Sequence, residues 1–408
     1  MVSDKVNDFL RGDFSKSPYV QRAHDLLPVL KARGKAQWQV PRVFDETIAD
    51  LQDAGFFQML QPRRWGGGET TPIESFEVAS ILAQADASVA WVLGVVGIHA
   101  YHLAFFDDRA QEEVWGENTK TLISSPYMPG KAVRVPGGFR LTGRYSFSSG
   151  GEHCAWTFLG ANVEGEENSG AAKMSGLPTY TFLLPRADYD IVPNWSVHGL
   201  RATGSNDIVV KDMFVPEYRT LKWEQVLTGS APGLEKNDGL LYRLPFFQIF
   251  SRATQAPSAL GALKGMVQAF VDFNAGKVSR HGIHMGQNQA ATLVVAESLS
   301  HIEEMKSQVY KNYARVIAEV EGGPMVSMDD RRMFRFQSSQ IPPRCALHAN
   351  NIYRLTGGSA IYESNEFGRY LNDLMAIQTH QLNNYQTHAT AWAGTLLGDE
   401  NAAKNYHA

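Results

Sequence analysis

The sequence predicts an α+β protein with a β region set between two helical ones. Three observations carry that reading. Apolar residues recur at helical spacing from about residue 18 to residue 115. From about Thr119 to residue 222 the period changes to short runs rich in β-branched and aromatic residues. After Pro245 the helical period returns and persists. The expected divisions are an N-terminal α-helical domain at 1–118, a central β domain at 119–222 and a C-terminal α-helical bundle domain at 223–408.

The elements follow in order. Ala23, Leu26, Leu27 and Leu30 mark a first helix; Val43, Ile48, Leu51 and Phe56 mark a second. Successive glycines in Trp65-Gly-Gly-Gly68 strip helix propensity and break the chain. Thr71-Pro72 then opens a helix, because proline is tolerated in a first turn. That helix and its successors reach about Trp115, with breaks expected near Gly97 and Asp107. Ile81 to Phe106 is the most apolar zone, but Gln84, Asp86, Ser88, His99 and His102 interrupt it. It reads as a buried helix rather than a membrane span. Arg134 to Gly143 reads as strand, turn, strand, and Thr179–Leu184, Tyr189–Val192 and Ile208–Val215 as further strands. Glu164 to Ser175 is expected to be an exposed hairpin loop, and 225–245 a connecting loop. Ala259–Asn274, Ala290–Val320, Met325–Leu355 and Gly368–Leu397 are amphipathic runs that together suggest an antiparallel four-helix bundle.

Composition narrows the function classes. The chain has 408 residues, 44% hydrophobic and 20% charged, with a net charge of −4. Nothing in that balance favours nucleic acid or an anionic membrane. Two cysteines, Cys154 and Cys345, are too few for a disulfide framework and fit a cytoplasmic location. Met1 to Ser17 is polar and has no apolar core, so no signal peptide is expected. No G-x-G-x-x-G follows a strand, which disfavours a Rossmann nicotinamide site, and no phosphate-binding P-loop is present. Gly150-Gly-Glu-His153 is not a nucleophile elbow. His281 and His284 lack the partners of a zinc site, so no metal is expected.

The chemistry lies in two loops. Leu141-Thr-Gly-Arg-Tyr-Ser-Phe-Ser-Ser-Gly150 and Gly199-Leu-Arg-Ala-Thr-Gly-Ser-Asn206 each combine glycines with short hydroxyl residues. Glycine lets a backbone approach a flat ligand, and serine or threonine supplies compact donors. Together they suggest a platform for a polar aromatic ring system, although either alone reads as an ordinary turn.

The order of helices, hydroxyl-bearing β loops and helical bundle resembles the acyl-CoA dehydrogenase fold, with a central β barrel or sandwich. The late Thr356-Gly-Gly-Ser359 and Arg369-to-Asp373 segments resemble that fold as well. One departure stands out. Ala376-Ile-Gln-Thr-His-Gln-Leu-Asn-Asn384 holds His380 and no carboxylate, where the true dehydrogenases carry a glutamate base. Trp91 to His99, Ser124-Ser125-x-Tyr127, Tyr145 to Gly150, Gly199 to Asn206 and His380 instead resemble the reduced-flavin-dependent aromatic hydroxylases, the oxygenase halves of two-component monooxygenases. Within them the likeness is to the seco-steroid phenol and p-hydroxyphenylacetate hydroxylases.

That resemblance implies reduced flavin (FADH2 or FMNH2) and O2 as cosubstrates. It also implies a separate NAD(P)H:flavin reductase, a C4a-hydroperoxyflavin oxidant and hydroxylation of a phenol ortho to its OH. It implies a homotetramer. His99 is the candidate that ionises the phenol, with Ser125 as a second contact to the substrate OH. His380 and Ser149 are the candidates at the reacting edge of the flavin. Ser124, Ser148, Ser149, Thr203, Ser205 and Arg280 are the flavin-binding candidates, with Asn206 beside them. The competing readings are a core histidine for His99, a surface histidine for His380, a turn pair for Ser148 and Ser149, and a solvated helix arginine for Arg280. His153 and Trp156 read as packing residues. Other functions weighed are a same-scaffold monooxygenase acting on sulfur or nitrogen, an acyl-CoA dehydrogenase, and a flavin-binding protein without activity.

Overall fold

The computed structural model describes residues 3–127, 130–169, 177–278, 282, 284–399 and 401–402. Six α-helices precede the sheet: α1 (Asp4–Leu10), α2 (Pro18–Gln37), α3 (Asp45–Asp53), α4 (Pro72–Ala83), α5 (Ala87–Leu103) and α6 (Asp108–Trp115). Their starts follow local chemistry. The side chains of Ser17, Thr71 and Asp86 each accept a backbone N–H in the first turn of α2, α4 and α5. Gly67 is needed because any side chain there would overlap the Gln61 carbonyl.

One expected break is absent. Helix α5 runs unbroken through Gly97, and the interruption falls earlier, at Gln84–Asp86, where the Asp86 carboxylate caps the new helix. Sixteen of the seventeen α5 residues are buried. Burial on that scale outweighs the ~1 kcal/mol that one glycine costs a helix. Gly94 has its own purpose, since a Cβ there would press to 2.9 Å from Ala253 and Thr254. Among the described residues no helix is long and apolar enough to cross a membrane.

The strands are β1 (Ile123–Ser124), β2 (Gly130–Val135), β3 (Gly138–Ser148), β4 (Trp156–Val163), β5 (Tyr180–Pro185), β6 (Asp190–Val192), β7 (Asn206–Pro216) and β8 (Thr220–Lys222). The expectation of a barrel or sandwich resolves, among the described residues, to one eight-stranded sheet in the order β6-β7-β3-β2-β4-β5-β8, with β1 beside β4. Phe139, Leu141, Tyr145, Leu159, Phe182 and Ile208 form its core. Antiparallel β3 and β7 lose register between Tyr145 and Ser148, and the ladder closes with Ser148 opposite Asn206. That bulge brings the two hydroxyl loops side by side. Of the expected loop Glu164 to Ser175, residues 170–175 lie outside the described residues.

The segment 225–245 is more ordered than a plain loop. It holds α7 (Trp223–Thr228), a 3-10 turn at Pro232–Glu235 and α8 (Leu240–Arg243). Asn237 Nδ2 donates to the Ala104 carbonyl at 2.7 Å, which fastens this segment to the N-terminal helices. Then follow α9 (Phe246–Phe250), α10 (Gln255–Asn274), α11 (Gln289–Val320), α12 (Met328–Ser339), α13 (Ile341–Thr356), α14 (Phe367–Gln378) and α15 (Tyr385–Leu396). Two of the four expected runs are therefore each two helices. Pro342 and Pro343 lack the N–H groups that would join α12 to α13. A 3-10 turn at Gln381–Asn383 separates α14 from α15. Helix α10 packs on α4, α13 and α14, so the two helical regions share one apolar core.

Candidate active site

The site grows from the end of the β3–β7 pair. Gly150 turns the chain at φ 68° and its N–H donates to the Thr203 carbonyl at 2.8 Å, pinning one loop to the other. The hydroxyls then line up. Trp91 Nε1 donates to Ser149 Oγ at 3.1 Å. Ser149 Oγ lies 2.8 Å from Ser205 Oγ, which lies 2.7 Å from Thr203 Oγ1. Thr203 Oγ1 donates to the Leu200 carbonyl at 3.0 Å. The next position, Ser148, is buried and its Oγ has no protein partner. Ser124 Oγ donates to Thr157 Oγ1 at 3.0 Å. Asn206 is spent on the scaffold: its Oδ1 accepts the N–H groups of Asn194 and Trp195, and its Nδ2 donates to Glu152.

The loop 199–206 is clamped from the C-terminal side. Leu200 N–H donates to Asp373 Oδ1 at 2.6 Å. A side chain at Gly199 would overlap the Asn372 carbonyl. Burial, with Asp86 close by, raises the Asp373 carboxyl to about 7.

Two histidines face opposite duties. His99, 1% exposed, holds Nδ1 2.7 Å from the Ile123 carbonyl. A carbonyl only accepts, so Nδ1 carries the proton and Nε2 presents a lone pair. Burial lowers His99 to about 4 and keeps it neutral. His380, after α14, does the reverse. Its Nδ1 accepts the Leu382 N–H at 3.2 Å, so its proton sits on Nε2. Burial, and then the buried Arg335 guanidinium, lower His380 to about 4. The His380 ring stands edge-on to Trp91 with centroids 5.6 Å apart, so both His380 and Ser149 contact the same indole. Gln255 Nε2 lies 3.5 Å from His380 Nδ1, and its Oε1 is buried without a partner.

Trp91 and His99 share α5, eight residues and roughly 12 Å of helix apart. The Ile123 carbonyl that fixes His99 belongs to β1, which leads directly into Ser124 and the buried Ser125. Around that end lies an aromatic wall of which the sequence reading named only Tyr127. His102 Nδ1 is 2.8 Å from Tyr127 Oη, and the His102 Nε2 is buried without a partner. Phe158 lies 4.8 Å and Phe246 5.1 Å from the His102 ring. Burial and then neighbouring His99 hold His102 well below its ordinary value. The signal was present: His99 and His102 stand three apart on one helix face.

The remaining candidates sit elsewhere. His153 Nδ1 is 3.3 Å from Asp45, and Arg219 covers the Trp156 ring at 5.1 Å. Arg280 and His281 lie outside the described residues. Among the described residues no three metal-ligating side chains cluster.

This donor set fits a flavin. Ser148 Oγ and Gln255 Oε1 are buried polar atoms without a protein partner, and Ser149 and Ser205 add buried hydroxyls. The fold and site thus define a flavoprotein of acyl-CoA dehydrogenase architecture. Residues 253–385 match the family described as "Acyl-CoA dehydrogenase, C-terminal domain". The flavin-dependent monooxygenase oxygenase subunit HsaA of Mycobacterium tuberculosis is 34% identical over 364 residues, covering 88% of this chain and 90% of that one. The FADH2-dependent resorcinol hydroxylase oxygenase component of Rhizobium is 30% identical and covers 93% of this chain and 94% of its own. The crystal structure of 3-HSA hydroxylase from Rhodococcus superimposes with a TM-score of 0.85 at 32% identity, covering 93% of this chain and 96% of that one.

The chain belongs to the oxygenase subunits of flavin-dependent monooxygenases. As an oxygenase component it works with a separate reductase.

Proposed function

We propose that this oxygenase hydroxylates a phenol ortho to its hydroxyl group, with reduced flavin and O2 as cosubstrates. The observation that carries the reading is the His99 tautomer: a neutral imidazole offers its Nε2 lone pair beside an aromatic wall. The names of the resorcinol and p-hydroxyphenylacetate hydroxylases among its relatives support it. The FADH2 of the former favours FADH2 over FMNH2.

Bound reduced flavin supplies the electrons that activate O2. The chain's residues supply the rest. His99 Nε2 accepts the phenol proton, which enriches the ring carbon ortho to oxygen, and Ser125 orients the same OH. A base held near 4 is weak against a phenol near 10, so in the ground state His99 takes a hydrogen bond rather than the proton. Transfer gains ground as the ring reacts. His380 Nε2–H donates at the oxygen end. Ser124, Ser148, Ser149, Thr203 and Ser205 hold the flavin edge, and Arg280 is assigned to a flavin phosphate by resemblance. The buried walls exclude water, which protects the oxidant.

Apolar side chains left open on the late segments support assembly into a homotetramer: Leu347 is 61%, Ile361 72%, Leu396 68% and Leu397 87% exposed. Two buried cysteines without a disulfide fit a cytoplasmic enzyme. The test is a panel of phenols, thioethers and amines assayed with a flavin reductase, scoring product against oxygen consumed. Turnover of the sulfur or nitrogen substrates alone overturns the reading.

A further inference from the structure

Arg335 lies in α12 and is buried, and among the described residues no carboxylate pairs with it. Burying a charge without a counter-ion is unfavourable, and an apolar side chain would pack the same space. The guanidinium instead spends its donors on two carbonyls. Its Nη1 donates to Ser251 at 3.2 Å and its Nη2 to Leu382 at 2.8 Å. Both carbonyls belong to segments that reach His380. Ser251 leads into Gln255, whose Nε2 lies 3.5 Å from His380 Nδ1. Leu382 donates its N–H to that same Nδ1 at 3.2 Å. Leu382 is thus held at both ends, at its N–H by the imidazole and at its carbonyl by the arginine. The turn itself closes without Arg335. Asn383 N–H donates to the His380 carbonyl at 2.8 Å, and Asn383 Nδ2 to the Ile377 carbonyl at 2.7 Å. What Arg335 adds is the direction of Leu382.

We propose that Arg335 is a positioning residue for His380, acting through Leu382 to keep the imidazole neutral with its single N–H on Nε2. The inference rests on the reading above that places His380 at the oxygen end of the site. Geometry and charge act in the same sense. With its carbonyl on Arg335, Leu382 keeps its N–H aimed at His380 Nδ1, and a nitrogen that accepts carries no proton. A second proton would set N–H against N–H and break that contact. Charge opposes the same proton. Burial, and then neighbouring Arg252, lower Arg335 to about 9, so it is still a cation at pH 7. The groups that face His380 from other elements are the Trp91 indole of α5 and the Gln255 amide at the start of α10, both uncharged. Among the described residues Arg335 is therefore the one charge that acts on the ring.

The experiment compares Arg335→Met, Arg335→Gln and Arg335→Lys in the full-length oxygenase. Product and hydrogen peroxide are measured per O2 from pH 5 to pH 8 under one reductase flux. The parent is expected to couple evenly across that range. Arg335→Met removes donor and charge. It is expected to lower product per O2 by roughly tenfold at pH 7, the scale of one hydrogen bond, and to lose more as pH falls. Arg335→Gln keeps a donor and loses the charge. It is expected to couple better than Arg335→Met at pH 8 and to show the same acid loss. Arg335→Lys keeps the charge and is expected to restore the flat profile. An arginine that only braced the fold would lower the melting temperature and leave the shape of the pH profile unchanged. A folded Met or Gln variant with the parent's coupling and flat profile overturns the proposal. His380→Ala separates the two layers. If it couples like the parent, the reading of His380 itself fails. If it uncouples, adding Arg335→Met is expected to change little, and a further tenfold loss in the double variant would show that Arg335 acts elsewhere and overturn the proposal alone.

Discussion

His99 and His380 are held in opposite tautomers. One spends its Nδ1 proton on the Ile123 carbonyl; the other uses Nδ1 to accept the Leu382 N–H. Backbone atoms set both states, so both survive in the absence of any ligand. The pair offers one acceptor and one donor from chemically identical side chains.

Removing the acceptor should show a specific pH signature. In His99→Ala, product formation on a phenol is expected to fall by about 10²–10⁴ at pH 7, the range for a positioned proton acceptor. Activity should then climb with pH toward the phenol's own value near 10, where the substrate ionises unaided. Rates of product formation from pH 6 to 10 test this. A variant as active as the parent at pH 7 would remove His99 from the reaction.

Loss of the donor should show in coupling rather than in binding. His380→Ala is expected to divert oxygen into hydrogen peroxide, with product per O2 down about tenfold. His380→Asn, which keeps a side-chain N–H, should recover part of it. Peroxide and product are measured together under one reductase flux. Equal coupling in all three proteins contradicts the role.

Acid should destabilise the fold through the same imidazoles. An unfolded histidine takes a proton near 6.5, whereas folded His99 resists until about 4. The depressed value means stability is complete above about 6.5 and lost as pH falls toward 4, by ~3 kcal/mol for His99 at full effect. Urea midpoints at pH 7 and pH 4.5 report it. His99→Phe should show a smaller drop than the parent.

Asp373 should behave with the opposite sign. Its folded value, raised to about 7, means that its contribution is largest near pH 4 and is lost as pH rises through 7. Asp373→Asn keeps an acceptor for the Leu200 N–H and is expected to flatten that loss between pH 4 and pH 7. Asp373→Ala leaves a buried N–H unpaired, at a cost of about 1–3 kcal/mol, and should weaken flavin binding as well. Thermal melts and flavin titrations of both variants decide it.

Much of the scaffold was legible because it is written in local chemistry. Asp107 caps a helix, Pro72 starts one, and the apolar spacing of 18–60 gives two more. The serines of 148–149 and the Thr203–Ser205 pair were legible as hydroxyls near glycine, and the structure does bring Ser149, Ser205 and Thr203 into one chain. What sequence could not give was long-range. Trp91 was legible as the start of a matching stretch, but its N–H on Ser149 is visible only in the structure. Gly97 looks like a break until the burial around it is counted. Asp373 acquires meaning only from Leu200, which lies 173 positions away.

The clamp on the loop 199–206 has a consequence for protein engineering. Because Gly199 abuts Asn372 and Leu200 hangs on Asp373, the second hydroxyl loop is completed by a helix built from the far end of the chain. A truncated fragment ending after the sheet would carry every serine of the row and lack the part that holds it in shape. A chimera that trades C-terminal helices between homologues must import the 372–373 register with them, or it will inherit the hydroxyls and lose their order.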